Sequence, residues 1–217
     1  IRRPPRSTLS SSSAASDVYK RQAVPLPIEN VDTDQIIPAR FLKTPRSTDH
    51  GQFLFHDMRR GRDGNLSEDF ILNQKEFKAS GILVADNNFG CGSSRESAVY
   101  ALHDAGIKCV IAPSFGDIFY TNSLKNGLLP IKLDRSIVQA IWKALASANS
   151  SEVEVDLESQ TIHLPDGSTY GFEIDPFRKQ CLLEGLDDID LTLKHQESIE
   201  QHELIEETNY PWTRSIN

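Results

Sequence analysis

Short apolar runs alternate with helical patterns between residues 81 and 145, and this alternation most limits the folds open to the chain. Ile82–Ala85 and Cys109–Ala112 are four-residue apolar runs that end at polar residues or proline, which is typical of buried strands. Residues 128–133 form a third such run, interrupted by Pro130. Strands that alternate with helices imply a parallel or mixed sheet covered by helices, so the sequence predicts an α/β fold.

Three segments between and after these strands carry helical periodicity. The predicted helices cover residues 94–105, 117–125 and 137–145. Residues 152–157 alternate between polar and apolar, and Pro165, Asp166 and Gly167 predict a turn between two further strands. The region from about Asp175 is predicted to be helical.

Residues 1–22 differ in composition from the rest of the chain. They carry five basic residues and one acidic residue, with a serine run and no initial methionine. Such a segment buries too little apolar area to offset the entropy of ordering. A transit peptide, a natural extension and sequence foreign to the gene all fit, and the abrupt change at Ala23 favours the third. We therefore predict a disordered extension over residues 1–22 and a single domain over 23–217, with a helical, acidic C-terminal region.

Charge and cysteine content exclude several classes of protein. With +4 in the first segment, the remaining chain carries −12, which argues against a nucleic-acid partner. No apolar run of about 18 residues exists, so no membrane span is predicted. Cys91, Cys109 and Cys181 are scattered, which indicates neither a disulfide framework nor a metal site on this chain. We expect a reducing, cytoplasmic location, or a plastid or other organelle only if residues 1–22 are a transit peptide.

Residues 88–96 (NFGCGSSRE) join a predicted strand to a predicted helix, a position suited to binding an anion. Gly90 and Gly92 permit close approach of the backbone. Ser93 and Glu96 have the spacing of a capping box, so Ser93 as a helix cap is one interpretation. Arg95 suits a two-bond grip on a carboxylate, or equally an ion pair with a nearby acid.

Better-known loop motifs do not fit this segment. Arg95 stands where a dinucleotide-binding loop has its third glycine, and neither a nucleophile elbow nor a phosphate loop is present. The local pattern alone thus predicts only an anion-binding site.

Three blocks of sequence resemble one family. Residues 88–96 resemble the signature segment of the small, swivelling domain of the aconitase superfamily. Residues 31–43 (VDTDQIIPARFLK) are similar to the opening segment of bacterial isopropylmalate isomerase small subunits, and residues 114–131 to their downstream block. The resemblance runs from Ala23 to the C-terminal region and implies a three-layer β/β/α swivelling domain.

The resemblance also implies a function. Members of this family are hydro-lyase subunits that interconvert 2-isopropylmalate and 3-isopropylmalate by dehydration and rehydration in leucine biosynthesis. It implies a heterodimer or higher assembly with a large subunit, a small dicarboxylate substrate and no cofactor on this chain. A 4Fe–4S cluster is expected in the large subunit, where its open iron acts as a Lewis acid on the leaving hydroxyl group.

Residue roles follow from the signature segment. Ser93 is expected to be the base that removes the carbon-bound proton. Arg95, with Ser94 and Gly92, is expected to bind a substrate carboxylate. Ser97 departs from the family pattern, in which many relatives have histidine, and Asp117 occupies a position that is often basic; both leave the proposed base and carboxylate contact untouched.

The first block supplies further candidates. Thr44 and Arg46 lie in a loop that resembles the family's substrate-sensing loop, and Arg46 is either a second carboxylate contact or a solvated arginine. Asp32 and Asp34 either support the site residues from behind or form the turn before Pro38.

Two competing functions stay open. The chain could serve a related hydro-lyase acting on homoaconitate, citraconate or a dimethylmalate, because a pocket distinguishes one methylene by only about 1–3 kcal/mol. It could also be a non-catalytic anion-binding module that retains the fold.

Overall fold

The computed structural model describes residues 18–92, 95–148, 150–210 and 212. The chain divides into two units, one ending at Gly185 and the other beginning at Leu186. The second unit contains the helices α6 (Asp188–Leu193) and α7 (Gln196–Asn209). Within the described ranges, no helix is long and apolar enough to cross a membrane.

The first unit is built on one seven-stranded sheet with the order β4-β3-β2-β1-β5-β6-β7. The strands are β1 (Val18–Leu26), β2 (Ile82–Ala85), β3 (Cys109–Ala112), β4 (Leu129–Lys132), β5 (Glu152–Asp156), β6 (Thr161–His163) and β7 (Thr169–Gly171). β1 to β4 are mutually parallel and form the parallel half. β5 to β7 run antiparallel to their neighbours and, with the first residues of β1, form the antiparallel half.

The central strand β1 corrects the predicted boundary at residue 22. Its first residues, from Val18 to Gln22, pair with β5, whereas the sequence prediction assigned them to the extension. Lys20 and Arg21 resemble the basic segment before them, yet they are exposed positions on a strand, and Tyr19 between Val18 and Lys20 is only 6% exposed. Residues 1–17 of the predicted extension lie outside the described residues.

The described residues of the first unit contain five α-helices, besides four short 3-10 helices. The α-helices are α1 (Thr33–Ile36), α2 (Glu96–Asp104), α3 (Asp117–Lys125), α4 (Arg135–Ser147) and α5 (Pro176–Glu184). Both faces of the parallel half are covered: Ile82 and Val84 pack with α4 and the antiparallel strands, while Leu83 and Ala85 pack with α2. Burial on both faces explains the continuous apolar runs of these strands. The predicted α/β class is confirmed, and β2, β3 and α3 have the predicted bounds.

Candidate active site

The segments that follow β1 and β2 meet at one edge of the sheet, because the carboxyl ends of parallel strands lie together. The backbone N–H of Gly90 donates to the carbonyl of Val31 at 2.7 Å, and that of Thr33 donates to the carbonyl of Cys91 at 2.9 Å. These bonds place the block of residues 31–43 beside the signature segment. Two blocks that are far apart in sequence therefore form one surface.

Asp34 and Arg95 are brought into direct contact at this edge. An Nη1–H of Arg95 donates to Oδ1 of Asp34, and the backbone N–H of Ala39 donates to the same oxygen at 2.7 Å. The hydrogen bond from Arg95 has the larger effect, and together the two bonds lower the pKa of Asp34. The Arg95 side chain is only 17% exposed. Since a guanidinium group has five N–H donors, the pairing with Asp34 orients Arg95 and leaves donors for a ligand.

Asp32 forms a turn instead of contacting Arg95. Its carboxylate accepts the backbone N–H of Gln35 at 2.8 Å, and the Gln35 side chain accepts the backbone N–H of Asp32 at 2.9 Å. This capping box starts the short helix α1. Of the two alternatives for these aspartates, the structure thus gives Asp32 the turn and Asp34 the contact with a site residue.

Helix α2 begins at Glu96 with Arg95 at its N-cap position, two residues later than predicted. A capping box needs its glutamate at the third helical position, and Glu96 is the first. Glu96 instead accepts a hydrogen bond from Asn126 Nδ2 at 3.0 Å. This geometry disfavours the interpretation that Ser93 and Glu96 form a capping box; Ser93 and Ser94 themselves lie outside the described residues.

A cleft of about 180 Å³ opens beside the signature segment, lined by Gly90, Gly92, Gly116, Asp117, Ile118 and Phe119. Two of these glycines, Gly90 and Gly116, are required by close packing. A methyl group on Gly90, where φ is +72°, would lie 2.2 Å from the Phe119 ring, and one on Gly116 would lie 2.5 Å from the Gly90 carbonyl oxygen. Gly92 also has a positive φ, of +87°. Sequence reasoning missed the contribution of α3 to this cleft, although Gly116 directly before a predicted helix was a signal for it.

Arg46 pairs with an acid at the far end of α2 from Arg95. The two Nη groups of Arg46 donate to the two carboxylate oxygens of Asp104 at 2.9 and 3.1 Å. Asp104 is the last residue of α2, so this pair lies about 13 Å along the helix axis from Arg95. Thr44 lies in a turn, where its backbone N–H donates to the Phe41 carbonyl at 3.0 Å. Their predicted contacts with substrate stay predictions.

A second polar group at the same edge was not predicted. Asp86 directly follows β2, and its side chain is only 6% exposed. Its carboxylate accepts a hydrogen bond from Arg135 at 3.0 Å, and Arg135 also pairs with Glu29. The available signal was an aspartate directly after one predicted buried strand and an arginine shortly after another.

The cysteines do not fit an iron–sulfur cluster. Cys109 lies buried on β3 and Cys181 lies buried on α5, while Cys91 is partly buried in the signature segment. Burial raises the pKa of the Cys109 thiol, and burial together with the charge of Asp32 raises the pKa of Cys91. Cluster ligation requires thiolates. Among the described residues, no group of three or more His, Cys, Asp or Glu side chains is arranged to hold a metal ion.

Comparison with known proteins decides the family. The family model for the aconitase C-terminal domain matches residues 17–136, and a second model, LeuD_N, matches residues 139–176. The 3-isopropylmalate dehydratase small subunit of Rhodospirillum centenum is 50% identical over 190 residues, covering 88% of this chain and 94% of that protein. The 3-isopropylmalate dehydratase small subunit of Paramagnetospirillum magneticum is 52% identical over 190 residues, and the match covers 88% of this chain and 94% of that protein. The chain belongs to the family of 3-isopropylmalate dehydratase small subunits.

A solved structure supports the same assignment of fold. The crystal structure of a 3-isopropylmalate dehydratase from Methanocaldococcus jannaschii matches with a TM-score of 0.59 and 30% identity. The match covers 86% of this chain and 99% of that one. The resemblance to dehydratase small subunits is therefore confirmed, both for the family and for the aconitase-type fold.

Proposed function

We propose that this chain acts with a large subunit as a 3-isopropylmalate dehydratase, a hydro-lyase that interconverts 2-isopropylmalate and 3-isopropylmalate in leucine biosynthesis. The observation that carries the proposal is the Arg95 guanidinium, mostly buried at the start of α2 and oriented by Asp34. A fixed guanidinium at a helix N-terminus suits a carboxylate ligand, because the fork and the helix dipole both favour negative charge. Isopropylmalate carries two carboxylates.

Within the proposal, Arg95 binds one substrate carboxylate. Gly92, whose Cα carries no side chain and whose φ is +87°, lets the substrate approach its backbone, and Ser94 is a further proposed contact for the carboxylate. Ser93 removes the proton from carbon and returns it in the reverse direction. A serine oxygen needs nearby positive charge to act as a base, which Arg95 and the start of α2 supply; general-base catalysis typically contributes about 10² to 10⁴-fold.

The proposal assigns the 4Fe–4S cluster to the large subunit. The positions of the three cysteines, in the signature segment, on β3 and on α5, support this division, since cluster ligation needs grouped thiolates. The proposed location is the cytoplasm, in keeping with three cysteines that are all free thiols.

Anaerobic reconstitution of the full chain with an iron–sulfur-loaded large subunit tests the proposal. Alkene formation from 3-isopropylmalate is followed by ultraviolet absorbance, and turnover is expected only when both chains are present. Activity on homoaconitate, citraconate or a dimethylmalate without activity on isopropylmalate would keep the reaction class and change the substrate. A stable complex with an intact cluster and no turnover on any of them would identify a non-catalytic module.

The role of Ser93 has its own test. Ser93→Ala is expected to abolish turnover in the reconstituted complex while subunit association, measured by sedimentation, is unchanged. Ser97→Ala, a change of the same size on the first turn of α2, serves as the control and should retain activity. Near-normal turnover of the Ser93 variant would remove this serine from the chemistry.

A further inference from the structure

The segment of residues 39–50 is held at two points by carboxylates. Asp34 holds it near the start of α2, and Asp104 holds it at the end of α2. At the start of the helix, Asp34 accepts the backbone N–H of Ala39 at 2.7 Å and also binds Arg95. At the end of the helix, Asp104 accepts two N–H groups of Arg46 at 2.9 and 3.1 Å, and the backbone N–H of His50 at 3.0 Å. The nine residues of α2 separate the two attachments by about 13 Å.

The attachment at Asp104 is built more completely than an ordinary surface ion pair. The Asp104 side chain is 15% exposed and His50 is 2% exposed. The Cζ atom of Arg46 lies 4.3 Å from the centroid of the Tyr100 ring. The guanidinium group therefore makes a cation–π contact in addition to its hydrogen bonds with Asp104. Next to His50, a methyl group on Gly51 would lie 2.6 Å from the backbone nitrogen of Ala105. The segment therefore sits directly against the last turn of α2.

We propose that Asp104 is a positioning residue, which fixes the segment of residues 39–50 relative to Arg95 and thereby sets how well substrate fits. The proposal rests on the proposed function and gives Arg46 an anchoring role in place of a substrate contact. Between the anchors, Leu42 is 38% exposed and Lys43 is also exposed, so this part of the segment is available to substrate.

Steady-state kinetics of the reconstituted complex test this assignment. Asp104→Asn and Arg46→Lys should each raise KM by roughly tenfold with a smaller change in kcat, because a displaced segment weakens fit without removing a reacting group. The double variant should be no worse than either single one, since both changes break the same attachment. A raised KM for Arg46→Lys with an unchanged KM for Asp104→Asn would show a substrate contact and overturn the proposal.

Hydrogen exchange in the isolated full chain gives a readout that needs no turnover. The backbone amide of His50 should exchange roughly tenfold faster in both variants, because its acceptor is no longer held in place. Glu152→Gln, which breaks the exposed Lys20–Glu152 pair of 3.1 Å in the antiparallel half, is the control and should leave that amide unchanged. Because Arg46 is exposed, the Arg46→Lys variant is expected to fold normally. An unchanged exchange rate of the His50 amide in this variant would overturn the anchoring role, even if the complex turns over. Faster exchange without any turnover would support the anchor and reject the proposed function.

Discussion

The two halves of the sheet both have apolar cores, but the loops that follow their strands differ in what holds them in place. Gly90, beyond β2 in the parallel half, and Gly167, between β6 and β7 in the antiparallel half, both have positive φ, at +72° and +86°. A methyl group on Gly90 would collide with Phe119 of a different element, whereas one on Gly167 would meet no atom within 4 Å. The same backbone conformation is thus required by tertiary packing in one half and only by a local turn in the other.

This difference explains why the candidate site forms in the parallel half. A hairpin joins neighbouring antiparallel strands, so its turn brings together residues that are already close in sequence. Parallel strands need crossover connections, which collect distant segments at one edge of the sheet. Asp34 and Arg95, which are 61 positions apart, meet at that edge.

The largest expected effect is the loss of stability when Gly90, rather than Gly167, is replaced by alanine. Gly90→Ala should lower the free energy of unfolding by about 4 kcal/mol, since the strain of a positive φ adds to a steric overlap. Gly167→Ala should cost about 1 kcal/mol from φ alone. Urea unfolding of each variant measures the difference. Equal losses would contradict the distinction between packing and local conformation.

A core change in the antiparallel half should affect stability without affecting chemistry. Ile162 on β6 is fully buried, and Ile162→Ala should lower the free energy of unfolding by about 3 kcal/mol through lost burial and a cavity. In the reconstituted complex, assayed well below the unfolding temperature, its kcat and KM should match those of the unmodified chain. A changed KM would mean that the antiparallel half shapes the site.

Replacing the guanidinium group of Arg95 should change substrate binding, in contrast to the core change, which affects only stability. Arg95→Lys should raise KM by about 10- to 100-fold, because a point charge cannot reproduce hydrogen bonds that a guanidinium makes to a carboxylate. The matched control is Arg178→Lys on α5, which should leave KM unchanged. Steady-state kinetics of the two complexes compare them, and an unaltered KM for the Arg95 variant would exclude the proposed carboxylate contact.

The smallest expected effect is a pH dependence. Burial alone would raise the pKa of Asp104, but hydrogen bonds from Arg46 and the His50 amide outweigh it, and the pKa lies below its ordinary value. Its contribution to stability is therefore present above about pH 4 and is lost as the pH falls through the lower folded-state pKa. Asp104→Asn should destabilise the chain at pH 5 to 7, and less so at pH 3.

Asp156 is the local counterpart in the antiparallel half. Hydrogen bonds from Ser159, with a further one from the Glu158 backbone, lower its pKa, but these partners lie within three residues and can also form in the unfolded chain. Asp156→Asn should therefore have the smaller effect at every pH. Urea unfolding at pH 7, 5 and 3 tests both variants. A loss for Asp104→Asn that persists undiminished at pH 3 would rule out its carboxylate charge as the cause.

Sequence reasoning succeeded where local pattern and tertiary burial agree. β2 and β3 are buried on both faces, so each shows as an uninterrupted apolar run. The turn at Pro165, Asp166 and Gly167 was also predictable, since it depends on the conformations of its own residues. The family resemblance supplied the site candidates that local pattern could not rank.

The sequence missed β1, the strand that joins the two halves. It contains Pro25, which lacks a backbone N–H, and it begins with charged residues that resemble the preceding segment. Pairing with β5 reaches only Gln22, so among the described strands Pro25 pairs with β2 alone. Tolerance of proline there depends on which strands lie alongside, and no local pattern carries that information.

By itself, the sequence determined the α/β class, the strands β2 to β4, the helices α2 to α4, and the family to which the chain belongs. Only the tertiary structure decided that Asp34 binds Arg95 while Asp32 caps α1, and that Arg46 binds Asp104. Periodicity reports whether a residue is buried within its own element. Which carboxylate meets which guanidinium depends on how separate elements pack, and that is fixed only when the whole sheet has formed.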